Sequence, residues 1–207
     1  TYDARSVYVQ REYVYIADVK NGLVVIKDNS IDNPTISRVE TYDTAGYAEG
    51  IYLQGNYAYV ADEQNGLVIL DISNPKSPVQ VGWYDTAGYA RGIYLQGNYA
   101  YVADGSNGLV ILDISNLQNP VQVGWYDTYD ALGVYIQGNY AYVADGSNGL
   151  VILDVSNPKS PVQVGWYDTA GYAYGVCVQG NYAYVADEQN GLVILDISNP
   201  KSLTQVG

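Results

Sequence analysis

Residues 50–75 read GIYLQGNYAYVADEQNGLVILDISNP, and versions of this stretch occur five times along the 207-residue chain. The Asn-Gly pair within it serves as a ruler: Asn21, Asn65, Asn107, Asn148 and Asn190 stand 44, 42, 41 and 42 residues apart. Repeats of this length signal a propeller in which each unit folds as a four-stranded blade. Residues 54–77 and 179–202 are identical throughout, as expected of recent duplications.

Within the second unit, β-branched and aromatic enrichment between turn residues predicts strands over 50–54, 57–62, 67–72 and 79–85. Gly55-Asn56 and Asn65-Gly66 supply the positive φ that tight hairpin turns require, and Asn74-Pro75 and Pro78 punctuate the third connection. The third strand is apolar on both sides, with Leu67 and Ile69 on one face and Val68, Leu70 and Ile72 on the other. A strand needs this only when both faces are covered, as when neighbouring blades sandwich each sheet. The fourth alternates better and is predicted to lie outermost. The expected fold is all-β: a five-bladed β-propeller of four-stranded antiparallel blades, at 4–44, 45–86, 87–128, 129–169 and 170–207.

The ends add a topological expectation. The chain stops at Thr204-Gln205-Val206-Gly207, where other units continue into Trp-Tyr-Asp, and it starts with Thr1-Tyr2-Asp3. Residues 1–3 would therefore complete the last blade, both ends sharing one outer strand. The alternative is exchange of these ends between molecules. The first unit departs most, residues 29–34 lengthening one of its loops.

Composition removes several functions. A formal charge of −13, from 22 acidic and 9 basic residues, argues against binding nucleic acid or an anionic membrane surface. No apolar run is long enough to insert in a bilayer as a helix. The absence of His removes imidazole bases, His-activated nucleophiles and His-ligated metals. Cys177 stands alone, so no intrachain disulfide forms. The chain begins without Met, consistent with a processed secreted protein or a trimmed one, and an extracellular or cell-surface location is expected.

The segment GLVILDISNP at Gly66 and Gly191, with GLVILDISNL at Gly108 and GLVILDVSNP at Gly149, resembles the signature of the LVIVD-repeat β-propellers. The resemblance covers essentially the whole chain. It implies the propeller fold and a kinship with bacterial and archaeal surface or secreted proteins, and it implies little about activity.

Several positions are candidates for function. Asp18, Asp62, Asp104, Asp145 and Asp187 recur on one face of the ring, near Asp43, Asp85, Asp127 and Asp168. Ca²⁺ is the ion such oxygens would suit, but no cofactor is required and the D-x-D-x-D-G spacing of a dedicated Ca²⁺ loop is missing. An Asp opening a D-x-x-N-G loop is foremost a turn residue. Arg5, Glu49, Arg91, Leu132 and Tyr174 vary at one position, before the glycine or serine of the first strand, among neighbours that barely change, and are expected at the channel mouth. Asymmetric recognition in a symmetric ring has to use positions of this kind; free drift of solvent-facing residues is the alternative.

Tyr47, Tyr89 and Tyr172 in the A-G-Y loops suit sugar stacking or protein contact. Tyr8, Tyr52, Tyr94, Tyr135 and Cys177 are equivalent, with packing between blades expected and Cys177 a buried stand-in for Tyr. Trp83, Trp125 and Trp166 lie on uncharged outer strands open to lateral pairing. Taken together, these features predict a non-enzymatic structural or interaction protein that self-associates through outer edges, Tyr-rich loops or exchanged termini. A lectin-like or Ca²⁺-dependent module with carbohydrate as partner is the alternative. A glycosidase using channel carboxylates ranks below both, since near-identical blades do not separate an acid from a nucleophile.

Overall fold

The computed structural model describes residues 3–28 and 36–207. Five antiparallel sheets of four strands follow one another along the chain as the blades of a β-propeller. Blade one contains β1 (Ala4–Gln10), β2 (Tyr13–Asp18), β3 (Gly22–Asp28) and β4 (Ile36–Tyr42). Blade two contains β5 (Gly50–Gln54), β6 (Tyr57–Ala61), β7 (Leu67–Asp71) and β8 (Val79–Tyr84). Blade three contains β9 (Gly92–Gln96), β10 (Tyr99–Ala103), β11 (Leu109–Asp113) and β12 (Val121–Tyr126). Blade four contains β13 (Gly133–Gln137), β14 (Tyr140–Ala144), β15 (Leu150–Asp154) and β16 (Val162–Tyr167). Blade five contains β17 (Ala173–Gln179), β18 (Tyr182–Asp187), β19 (Gly191–Asp196) and the short β20 (Thr204–Gln205).

The two-faced third strand behaves as its sequence predicts. Leu67 and Ile69 join Ile93, Leu95 and Val110 of blade three in one cluster. Val68, Leu70 and Ile72 join Leu23 and Val25 of blade one in another. The same arrangement links blade three to four and four to five. Polar ties repeat across these joints: the Gln10, Gln54, Gln96 and Gln137 side-chain amides donate to the carbonyls of Gly55, Gly97, Gly138 and Gly180 on the following blade, at 3.0, 3.5, 3.1 and 2.9 Å.

Glycine makes the outer contact. A Cβ on Gly82 would sit 1.8 Å from the Leu117 carbonyl oxygen, and one on Gly124 1.8 Å from that of Pro158, so β8 and β12 lie directly against a loop of the next blade. The ladder is also bulged there, between Ile69 and Leu70 and at the equivalent places in blades three and four. Bulges twist an edge away from lateral pairing.

The joint between blades five and one is different. Among the described residues, no apolar cluster connects them. Val7 and Val9 are 61% and 63% exposed, whereas their counterparts Ile51 and Leu53 are each 5% exposed. Across the gap Leu192 is 58% exposed, whereas Leu67, Leu109 and Leu150 are fully buried. A Cβ on Gly50, Gly92 or Gly133 would lie 3.3, 3.1 or 3.0 Å from a Cα of the next blade, but one on Gly175 would meet only Ala186 of its own blade. The arc is left open at this point.

One expectation is corrected accordingly. Cys177 is exposed rather than buried, because no blade packs on its side of blade five. Thr204–Gln205 supplies β20 and the Asp3 carbonyl accepts the Val19 N–H within blade one, while Thr1 and Tyr2, on which the expectation of a shared outer strand falls, lie outside the described residues. The elongated 29–34 loop falls outside them as well.

Candidate functional site

The first strands line the channel, and the residues just before or at their starts form its mouth. Arg5, Glu49, Arg91, Leu132 and Tyr174, one from each blade, converge around a cavity of ≈ 390 Å³. The charged members pair with one another. Arg91 lies 3.5 Å from Glu49 and 2.7 Å from Glu63, while Arg5 lies 3.1 Å from Asp3 and 3.8 Å from Glu49. Burial pushes the Glu49 carboxyl above its ordinary range, and the Arg5 and Arg91 guanidinium groups pull it back. The arginines thus neutralise the carboxylates on one side of the mouth, leaving Leu132 and the half-exposed Tyr174 on the other.

Glu63 was not singled out by sequence, although its position varies among units as Val19, Glu63, Gly105, Gly146 and Glu188. That variation was the available signal. It resembles the variation of the Arg5 set, onto which it folds.

The repeated aspartates are structural in this arrangement. Asp18, Asp62, Asp104, Asp145 and Asp187 are all buried. Asn21, Asn65, Asn107 and Asn148 donate to the aspartates of their own loops at 2.7–3.0 Å, and Asn190 does so at 3.1 Å. Thr44 and Thr86 donate their hydroxyls to Asp62 and Asp104 at 2.5 Å. Burial raises the Asp104 carboxyl to about 6 despite these bonds, and raises Asp62 for the same reason. Asp43, Asp85 and Asp168 accept the N–H two residues on, at 2.8–2.9 Å. Among the described residues, no three carboxylate or thiol groups converge as a metal site.

The A-G-Y loops put Tyr47 and Tyr89 at the surface, and the Arg91 guanidinium lies 6.0 Å from the Tyr89 ring. Tyr172 is held more firmly: its hydroxyl donates to Asp130, the residue by which blade four departs from the loop pattern, and its ring lies 5.1 Å from Tyr174. Inside the ring, Tyr8, Tyr52, Tyr94 and Tyr135 form a stepped column with centroid separations of 5.5, 5.0 and 4.8 Å. Cys177 occupies the fifth place in this series.

Trp83, Trp125 and Trp166 are half-exposed, but each indole N–H donates to the carbonyl of Asn65, Asn107 or Asn148 in its own blade, at 2.6, 2.5 and 2.6 Å. Beside Trp166 lies an open polar cavity of ≈ 610 Å³, lined also by Asp127, Tyr129, Asp145 and Gln163. Thr128 borders it, its hydroxyl oxygen buried without a partner in the structure.

Comparisons with known proteins agree with this architecture. The computationally designed Ika8 protein, known from a crystal structure, superimposes with a TM-score of 0.64 at 6% identity, over 96% of this chain and 72% of that one. At such identity the likeness concerns the fold alone. A search of curated proteins finds no match. The family model described as the LVIVD repeat matches residues 3–44, 45–86, 87–128, 130–169 and 170–207. With the repeat matched in every blade, the chain belongs to the LVIVD-repeat family.

Proposed function

We propose that this protein is a non-enzymatic interaction module, working outside the cell or at its surface, that assembles with copies of itself. The observation carrying this reading is the open joint: Val7 and Val9 on blade one, and Tyr182 and Leu192 on blade five, are exposed where the equivalent joints are closed. Unpartnered apolar surface of this kind favours association. The paired charges at the channel mouth support the non-catalytic part, since Arg91 bridges Glu49 and Glu63 instead of leaving an acid and a nucleophile in distinct environments. Light scattering of the purified chain across a hundred-fold concentration range tests it, alongside micrographs taken with and without a chelator. Oligomers or filaments are the expected result, and a strict monomer throughout would overturn the reading.

A second reading follows from the blade-four cavity. Trp166 and Tyr129 offer faces for a sugar ring, and Asp127, Asp145 and Gln163 offer hydrogen-bonding oxygens and an amide. Calorimetry with a panel of neutral saccharides tests this, with heat lost in Trp166→Ala. No heat from any saccharide would dismiss it.

A further inference from the structure

The two faces left uncovered are opposite halves of a joint that the chain already makes four times. Blade five presents Cys177, Tyr182, Tyr184, Leu192 and Ile194 in the register of Tyr52, Tyr57, Tyr59, Leu67 and Ile69 of blade two. Those blade-two residues cluster with Ile93 and Leu95 at the start of blade three. Blade one presents Val7 and Val9 in the register of Ile93 and Leu95. Its exposure is concentrated in this first strand, for Ile16 and Val24 deeper in the blade are covered.

The polar positions match as well. Glu63 of blade two pairs with Arg91 of blade three, and the residues in those registers at the open joint are Glu188 and Arg5, both exposed. Gln54 donates to the carbonyl of Gly97, and the corresponding residues are Gln179 and Arg11. Arg11 holds the left-handed turn conformation, φ 56°, that Gly97 holds at φ 61°, so its carbonyl occupies the same place in the hairpin.

From this matching we infer that the partner is a second copy of this chain, bound head to tail, with blade five of one molecule packed on blade one of the next as consecutive blades pack within the chain. The inference rests on the self-association just proposed and names the surface responsible. A second copy completes the joint without changing the four already formed. Closing the arc within one chain would require all four to shift together, because their repeated contacts set the rotation from blade to blade. The contact is heterologous, with different patches on the two partners, so it generates a closed ring of subunits or a filament according to whether the rotation returns on itself.

The Tyr column supplies the test. Tyr52 and Tyr94 face each other at 5.0 Å across an internal joint, and the residues in their registers at the open joint are Cys177 and Tyr8. Wild-type chain, carrying only Cys177, is mixed with Tyr8→Cys/Cys177→Ser chain and treated with a short bis-maleimide. A mixed covalent dimer is expected, with neither chain giving a dimer alone. A Tyr8→Cys chain that retains Cys177 should give a ladder of multiples. A crosslinked product of monomer mass from that chain would show closure upon itself and overturn the inference. Dimers from wild-type chain alone would also overturn it, by showing like faces paired.

Light scattering of the same samples separates the two levels of the argument. Oligomers that yield no mixed crosslink leave self-association standing and refute this surface; monomers at every concentration refute both. Arg5→Glu and Glu188→Arg should each weaken assembly by about two- to five-fold, and the double variant should recover it. If the double variant were no better than the singles, the assigned register would be wrong.

Discussion

Leu67 and Leu192 are the same residue in the same register of near-identical blades, and they differ in whether a following blade covers them. Replacing each by Ala in separate variants isolates the energetic contribution of the blade-to-blade joint. Leu67 is fully buried, so Leu67→Ala removes its methyl groups from a packed core and leaves a cavity, at a cost of about 2–5 kcal/mol. Leu192 is 58% exposed, so less than half of its side-chain burial is at stake. At a transfer value of about 25 cal/mol per Å², Leu192→Ala costs roughly 1 kcal/mol or less in the isolated chain.

For a chain of this size each kcal/mol moves the melting midpoint by about 2–4 °C. Circular dichroism melts at the lowest workable concentration should therefore show a loss of roughly 5–15 °C for Leu67→Ala, and no more than about 4 °C for Leu192→Ala. Low concentration is essential, because association would cover Leu192 and raise its cost. Equal losses from the two substitutions in demonstrably monomeric samples would refute the open joint, and with it the account of assembly.

Other perturbations follow from particular residues. Arg11 adopts φ 56° where Gly55, Gly97, Gly138 and Gly180 stand in the other blades, so Arg11→Gly should stabilise the chain by about 0.5–1 kcal/mol in urea titrations. Gly124→Ala would drive a Cβ to 1.8 Å from the Pro158 carbonyl, and is expected to destabilise by more than about 2 kcal/mol through displacement of blade four, read as a lowered urea midpoint. Asp104, raised by burial to about 6, retains its proton at higher pH when folded than when unfolded. Stability should consequently rise as pH falls from above about 6 towards 4, and Asp104→Asn should flatten that slope in melts at graded pH. Below that window the trend reverses, because Asp71, Asp113, Asp154 and Asp196 are held low by bonds to Ser73, Ser115, Ser156 and Ser198 that are lost on protonation.

Blade construction was legible in the sequence because each feature has a local cause. The Asn-Gly turns, the two-faced Leu67–Asp71 strand and the aspartate-led loops all appear where residue type and spacing place them. The channel mouth was legible for a different reason: one varying position among neighbours that barely change identified Arg5, Glu49, Arg91, Leu132 and Tyr174, and the fold brings them together. Glu63 escaped because its loop was read only for turn chemistry. The open joint could not be read from the sequence, since Leu192 and Leu67 occupy identical local sequences and differ only in what lies beyond the blade. The exposure of Cys177 has the same cause.

Because every joint presses the leading face of one blade on the trailing face of the next, each blade carries both halves of a connector. Duplicating or deleting a whole unit within such an array leaves the outward-facing connectors at its two extremities unchanged. Repeat number can then vary through recombination between near-identical stretches such as residues 54–77 and 179–202 without any new mating surface having to evolve. Reach and curvature become heritable variables, while compatibility with earlier versions of the same protein is retained.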